Sequence, residues 1–428
     1  MEKSRLLILA DDLSGALDSG VQFAKKGIRT RVLLAPETPA PLKDNVSVLV
    51  INTNSRHASP AAAANLVKAA LKAHKDSLYF YKKTDSCLRG NIGAELEAFM
   101  EAAGSLSLAF IPAYPDLKRT TLKGVQYLEG KPIHESSMAL DPLNPITESF
   151  IPAIIKRQST IPVRLIPVNG EFQTPGNSSE ISREIAREIL VFDAGKKEDL
   201  GNIARILKER ELLLTCAGCA GFAEALAETL PRDMPHDVKN ESKDDISIQS
   251  LPVLFVSASL HPVSIGQVKA AVKKGIPAFS LTENEISECS SPVLKKAEAL
   301  AALCGRALLE NNVCVLGTEA AFGKGEVLIQ NDALTQTIPV VLGKLAKMVI
   351  KKAGPLHLVV FGGDSLLGIS RVLNYTCIRP IKEIQSGIVL AQAEGKNDGG
   401  FLVTKAGSFG DENLVPDISN FLSSTHSL

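Results

Sequence analysis

The stretch Lys82-Lys83-Thr84-Asp85-Ser86-Cys87-Leu88-Arg89-Gly90-Asn91-Ile92-Gly93 crowds cations, a carboxylate, hydroxyls and glycines into one turn. An arginine fork grips a carboxylate or phosphate at two points, a lysine supplies a compact charge, and glycines let backbone amides approach an anion at a helix start. Lys83, Thr84, Asp85, Ser86 and Arg89 are therefore candidates to hold an anionic substrate. The plainer reading is a solvated basic turn in which Asp85 or Asn91 caps a helix. Asp11-Asp12 follows the first apolar run, where a carboxylate can accept a hydroxyl proton, hold Mg2+, or simply cap the helix that begins near Ser14. Asn52-Thr53-Asn54-Ser55-Arg56-His57 holds the equivalent place after another apolar run, so Arg56 is a second candidate clamp, although hydrogen bonding within the loop accounts for it equally well.

In the C-terminal half, Val256-Ser257-Ala258-Ser259 and Phe361-Gly362-Gly363-Asp364-Ser365 each end an apolar run and open a helix. Adjacent glycines permit positive φ and close backbone approach, Ser365 begins a helix with free amides, and Ser259 can donate to a phosphate oxygen. Lys405-Ala406-Gly407-Ser408-Phe409-Gly410 is a third glycine-rich turn, either an ordinary surface turn or part of the same nucleotide pocket. Three other patterns are set aside. Gly317 to Gly325 has the wrong spacing for a P-loop and lacks the hydroxyl that reaches Mg2+; Cys216-Ala217-Gly218-Cys219 has no second ligand pair; and Met138 stands where a zinc-binding His134-Glu135 motif needs its second histidine.

The elements that must position these residues alternate between strand and helix. Arg5 to Ala10 reads as a strand and Ser14 to Lys26 as a helix stopped by Gly27; Val46 to Ile51 is a strand, followed by a helix from Ala61 to Ala73 with Ser59 and Pro60 at its start. Leu78 to Tyr81 leads through the polar turn into a helix over Ile92 to Ala103, and Val191 to Ala194 and Leu212 to Thr215 read as further strands. Pro231 to Ser250 turns polar and charged, marking a linker. Beyond it come strands at Val253 to Ser257, Val313 to Leu316 and Leu358 to Phe361, with helices at Val263 to Lys274 and around Ile338 to Lys352. The pattern predicts an α/β chain of two domains, residues 1–230 and 251–428. Each carries a largely parallel sheet flanked by helices, with ligands at the carboxyl ends of the strands and the active site in an interdomain cleft.

With 428 residues and 45% apolar content, the chain can bury two such cores. Lysine plus arginine equal aspartate plus glutamate at 47 each, so no overall field draws nucleic acid or membrane to it. No signal-like segment opens the chain and no run approaches the ~20 apolar residues that span a bilayer, which makes a cytoplasmic protein the expectation. The seven cysteines are scattered and odd in number, unlike a disulfide framework.

Together these motifs resemble the four-carbon acid sugar kinase family over nearly the whole chain. Its opening signature appears as Ala10-Asp11-Asp12-Leu13-Ser14-Gly15-Ala16-Leu17-Asp18 and its most specific one as Lys82 to Glu95, followed by Ile111 to Pro115 with Arg119-Thr120, Pro132 to Ser136, Gly218 to Gly221, Gly362 to Ser365 and Lys405 to Gly410. Cys87, Cys219 and Ala258 stand where the family commonly has threonine, serine and glycine. The resemblance implies a kinase that uses ATP and Mg2+ to phosphorylate the terminal hydroxyl of a four-carbon sugar acid. D-threonate is favoured, with D-erythronate and 3-oxo-tetronate as alternatives. It implies acid binding in the N-terminal domain by Asp12, Arg56 and the Lys83 to Arg89 turn, with Asp12 preferred as base over Asp85. ATP would be held in the C-terminal domain by Ser259, Gly362, Gly363, Asp364, Ser365 and Gly407; the metal ligands stay unassigned. A non-catalytic sensor of a sugar acid or nucleotide is the rival from another class, and a homo-oligomer is compatible with either.

Overall fold

The computed structural model describes residues 4–35, 46–140, 144–168, 170, 187–230, 247–282, 285–286, 295–324, 332–395, 400–424 and 426–427. The chain divides into two compact units, Met1–His236 and Asp237–Leu428. Most of the expected linker, residues 231–246, and Gly325 of the P-loop-like stretch lie outside the described residues.

In the first unit β1 (Leu6–Ala10) is apolar and buried throughout, as a strand covered on both faces must be. The other strands are β2 (Thr30–Leu33), β3 (Val48–Asn52), β4 (Tyr79–Lys83), β5 (Ser107–Ile111), a small antiparallel sheet of β6 (Arg119–Leu122), β7 (Val125–Leu128) and β8 (Lys131–Pro132), then β9 (Val163–Ile166), β10 (Glu188–Phe192) and β11 (Thr215–Gly218). Eight of them form a parallel sheet in the order β2-β3-β1-β4-β11-β5-β10-β9. The segment Leu212–Leu214, expected to begin a strand, is a turn of 3-10 helix, and the strand starts at Thr215. Glu211 ahead of it sits at φ 58°, which breaks the extended path.

The helices are α1 (Leu13–Ala24), α2 (Pro60–Ala73), α3 (Ile92–Ala103), α4 (Ile151–Lys156), α5 (Lys197–Glu209) and α6 (Ala220–Thr229). Asp12 caps α1 through Gly15 N, Ser59 caps α2 with Pro60 in its first turn, and Gly104 ends α3 in the left-handed region. Helices α1, α5 and α6 pack together as one layer, and α2, α3 and α4 as another.

The second unit contains β12 (Ser247–Ile248), β13 (Val253–Ser257), β14 (Ala278–Leu281), β15 (Val313–Thr318), β16 (His357–Phe361), β17 (Tyr375–Gln385), β18 (Ile388–Gly395), β19 (Leu402–Lys405) and β20 (His426–Ser427). Its sheet runs β14-β15-β13-β16-β19-β18-β17, parallel as far as β19 and antiparallel through the long β17–β18 hairpin, which the sequence pattern did not suggest. Helices α7 (Pro262–Lys273) and α11 (Leu414–Ser423) pack together, while α8 (Lys295–Asn311), α9 (Asp332–Ala353) and α10 (Gly363–Leu373) form the other helical group. Phe255, Val268, Phe361, Val403 and Leu414 share one buried cluster. Among the described residues no helix is long and apolar enough to cross a membrane.

Candidate active site

Both units bring their chemistry to the place where strand order reverses. In the first, the chain leaves β1 toward β3 on one side and later returns as β4 on the other. Ala10 is in register with Asn52 and with Lys83, and Lys83 with Gly218, so four strands release their polar turns side by side. Ligands of parallel α/β sheets gather at such switch points because the helices diverge there.

Arg56 organises the first cluster. Its Nε donates to Asp11 Oδ2 at 2.7 Å and its Nη2 to Asp11 Oδ1 at 3.0 Å, while Nη2 also reaches Asp12 Oδ1 at 2.8 Å. Asp85 Oδ1 lies 3.8 Å from the same nitrogen. Arg89 places a second fork on Asp85, Nε to Oδ2 at 2.8 Å and Nη2 to Oδ1 at 2.9 Å. The Cys87 and Arg89 amides also donate to Asp85 Oδ2, making this carboxylate the hub of its own turn. Burial opposes ionisation of Asp85, but the guanidiniums of Arg89 and Arg56 outweigh it and hold the carboxyl well below the usual range. Asp11 is lowered in the same way, with burial opposed by Arg56, Lys82 and Lys83.

The two adjacent lysines part company because successive residues of a strand face opposite sides. Lys82 pairs with Glu95 of α3 at 2.6 Å, and Ser55 Oγ donates to the same carboxylate at 2.6 Å. Lys83 instead runs toward the start of α1. Its Nζ donates to Thr84 O at 2.8 Å and, among the described residues, no carboxylate comes within ion-pair distance of it. A Cβ on Gly15 would sit 2.5 Å from Asp12 Oδ1 and 2.7 Å from Lys83 Nζ, so glycine at this position is what lets carboxylate and ammonium share the helix start. Thr84 is held by its amide and hydroxyl on Gly218 O, and Ser86 Oγ accepts from Arg119 Nη1 at 2.6 Å.

Of the seven residues expected to meet the acid, Asp12, Arg56, Asp85 and Arg89 are linked through ion pairs, Lys83 reaches the same helix start, and Thr84 and Ser86 lie in the same turn but bond to Gly218 and Arg119. Asp12 differs from Asp11: both bonds to it fall on Oδ1, leaving Oδ2 without a hydrogen bond among the described residues, and its side chain is 19% exposed against 3% for Asp11. Asn91, read from the sequence only as a possible helix cap, stands at the N-cap of α3 without a side-chain capping bond, and with Gly90 it completes the frame. Asn91 ties the Arg56 loop to α3 through Ser55 O and Ala58 O, and Gly90, at φ 87°, passes so close to Arg56 that a Cβ would lie 3.3 Å from its carbonyl. Their positions inside recognisable motifs were visible in the chain; their partners were not. The Cys216 and Cys219 thiols are buried and pushed up by that burial, Cys219 to about 11.

In the second unit β13 and β16 flank the corresponding reversal. Ser257 is in register with Phe361, and Phe361 with Lys405, which sets the Ser259, Gly362–Ser365 and Gly407 turns next to one another. Gly362 takes φ 97°, Gly363 opens α10, Asp364 is exposed and Ser365 is buried. A Cβ on Gly407 would sit 3.2 Å from Ser259 Oγ. All six residues expected at the nucleotide thus follow the carboxyl ends of three neighbouring strands, β13, β16 and β19. Among the described residues no three His, Cys, Asp or Glu side chains gather as a metal cage; a nucleotide-borne Mg2+ relies on phosphates, water and one or two carboxylates.

Residues 6–226 match a family described as the sugar-binding N-terminal domain, and residues 254–415 one described as the nucleotide-binding C-terminal domain. The chain is 30% identical to the D-threonate kinase of Salmonella typhimurium over 96% of its own length and 97% of that protein's. It is 28% identical to the D-erythronate kinase of Heliobacterium modesticaldum, covering 98% and 97% of the two chains. A solved structure from Salmonella typhimurium LT2 shares the fold, with TM-score 0.72 and 21% identity over 98% of this chain and 99% of that one. On the two matched domains and the full-length likeness, the chain belongs to the four-carbon acid sugar kinase family.

Proposed function

We propose that this protein transfers the γ-phosphoryl group of ATP to the terminal 4-hydroxyl of a four-carbon sugar acid, D-threonate first among them. The observation that carries the reading is Asp12, whose Oδ2 is uncommitted among the described residues, beside a Lys83 ammonium to which none of them brings a carboxylate, both at the positive end of α1. Asp12 Oδ2 accepts the proton of the 4-hydroxyl as its oxygen attacks the γ-phosphorus, the bond to the bridging oxygen breaks, and ADP leaves with the electron pair. Lys83 balances charge on the acid or on the transferring group, while Arg56 and Arg89 hold Asp11, Asp12 and Asp85 rigid around them. Catalysis of this kind rests on positioning and electrostatics more than on covalent chemistry. Mg2+ bound with ATP supplies charge neutralisation on the phosphates.

The nucleotide falls to the second unit, where the Ser259, Gly362–Ser365 and Gly407 turns offer backbone amides and hydroxyls to phosphate. The test is a screen of purified protein with MgATP against D-threonate, D-erythronate and 3-oxo-tetronate, reading ADP release and the site of phosphorylation. D-threonate is expected to give the highest kcat/KM. Faster turnover of another acid would change the substrate, and no ADP release with any of them would overturn the reading.

A further inference from the structure

Lys405 ends β19 and is 1% exposed, yet it has no ionic partner among the described residues. Its Nζ donates to Ser264 Oγ at 2.7 Å and to Gly407 O at 3.0 Å, and lies 4.5 Å from the centroid of the Phe361 ring. Ser264 Oγ donates to the same Gly407 carbonyl at 2.8 Å. Two donors thus pin this carbonyl inward. In a trans peptide the following N–H points the opposite way, so the Ser408 amide, which has no hydrogen bond among the described residues, is turned out of the turn.

We propose that Lys405 is the positioning cation of the nucleotide site, shaping the Gly407 turn for phosphate and carrying a positive charge that the phosphates of the bound nucleotide balance. The inference rests on the reading of the second unit as the ATP-binding one. A buried ammonium without a counter-ion is costly, and hydrogen bonds to neutral oxygens and an aromatic face offset only part of that cost. The charged or titratable groups brought by neighbouring elements are His261 ahead of α7, Asp364 at the start of α10, and Asp411 and Glu412 before α11. None hydrogen-bonds or pairs with Lys405 Nζ, and the register neighbours Phe361 and Ile388 are uncharged. Burial pushes the ammonium down to about 7, so above that pH the free protein holds Lys405 neutral. Phosphate placed over the turn favours the charged form, and nucleotide binding then takes up a proton.

The test is calorimetry of ADP binding to the full chain at pH 8 to 9, where the nucleotide's own phosphates are already ionised, in two buffers of different ionisation enthalpy. The wild type is expected to take up a proton and to bind ADP more weakly as pH rises. Lys405→Met should lose about tenfold or more in ADP affinity together with the proton uptake, while D-threonate affinity stays within about twofold. Lys405→Arg, charged throughout, should recover part of the affinity with a flat pH profile. A wild type that binds ADP without proton uptake overturns the proposal even if Lys405→Met proves unstable. So does a folded Lys405→Met with unchanged ADP affinity. Neither result touches the ATP assignment, which is tested separately by nucleotide binding to the wild type and to Gly363→Val.

Discussion

Arg56 grips both carboxylate oxygens of Asp11, through Nε at 2.7 Å and Nη2 at 3.0 Å, and the same Nη2 extends to Asp12. An arginine at the end of one loop thereby locks two consecutive carboxylates of another, and the side chain is 11% exposed. Arg56→Met should leave Asp11 buried without its hydrogen-bonded counter-ion, Lys82 and Lys83 offsetting only part of the charge, at a cost of about 3–5 kcal/mol. Denaturant unfolding checks this, and an Asp11→Asn/Arg56→Met double variant should recover part of the loss. Equal stability of single variant and wild type would show that the pair is not a structural anchor.

Asp12→Asn separates chemistry from capping. Asparagine caps a helix as well as aspartate, so stability should change by no more than about 1 kcal/mol, whereas removal of a proton acceptor should lower kcat by about a hundred- to ten-thousand-fold. Steady-state kinetics with the acid varied, alongside thermal unfolding, reads both. A kcat within a few-fold of wild type would move the base elsewhere.

Arg89 presents its planar fork to Asp85, whereas the nearby Glu95 is taken by Lys82. Lysine keeps the charge but not the fork. Arg89→Lys should therefore weaken the turn and lower stability by about 1–3 kcal/mol, read as an earlier denaturant midpoint, with nucleotide affinity unchanged in the folded variant. A variant of wild-type stability whose acid KM alone rises about tenfold or more would instead put the guanidinium on the substrate.

The acid limb of stability has a definite sign. Asp85 and Asp11 are held below the unfolded value of 3.8, so their contribution is present in full above that pH and is lost as pH falls through their folded values. Glu95 is raised by burial against the pull of Lys82 and works in the opposite sense. Asp85→Asn should flatten the loss of stability below pH 4 in denaturation curves collected across pH. A limb as steep as that of the wild type would assign it to other carboxylates.

Gly363→Val probes the nucleotide turn without demanding a forbidden backbone. Gly362 takes positive φ and would be strained by any side chain, but Gly363 does not. The branched Cβ should obstruct phosphate approach and weaken ATP binding by about tenfold or more, leaving acid binding nearly intact. Calorimetry with each ligand alone distinguishes this from general damage, and unchanged nucleotide affinity would place ATP elsewhere.

What the chain determined by itself was local. Asp12 and Ser59 cap helices because their oxygens reach amides three residues on, Gly104 stops α3 because it tolerates the left-handed region, and alternating apolar runs set strand and helix. The same short-range logic placed Thr84 to Arg89, Arg56 and Gly362 to Ser365 after strands, although β4 runs two residues beyond the expected Tyr81 and takes in Lys82 and Lys83. Partner choice needed the tertiary structure. Lys82 and Lys83 are equivalent in sequence, and strand alternation says only that they face opposite ways; the packing of α3 against one face decides that Lys82 meets Glu95 while Lys83 reaches Asp12's helix. Arg56 finds Asp11 because β1 and β3 are parallel neighbours in register, a contact across 45 residues. Lys405 read only as the start of a glycine-rich turn, on the surface or in the nucleotide pocket, since nothing in its neighbours along the chain reveals that β16, β18 and α7 close over it. Burial and pairing are set by which distant segments fold together, and they decide which of these charges stay open for a ligand.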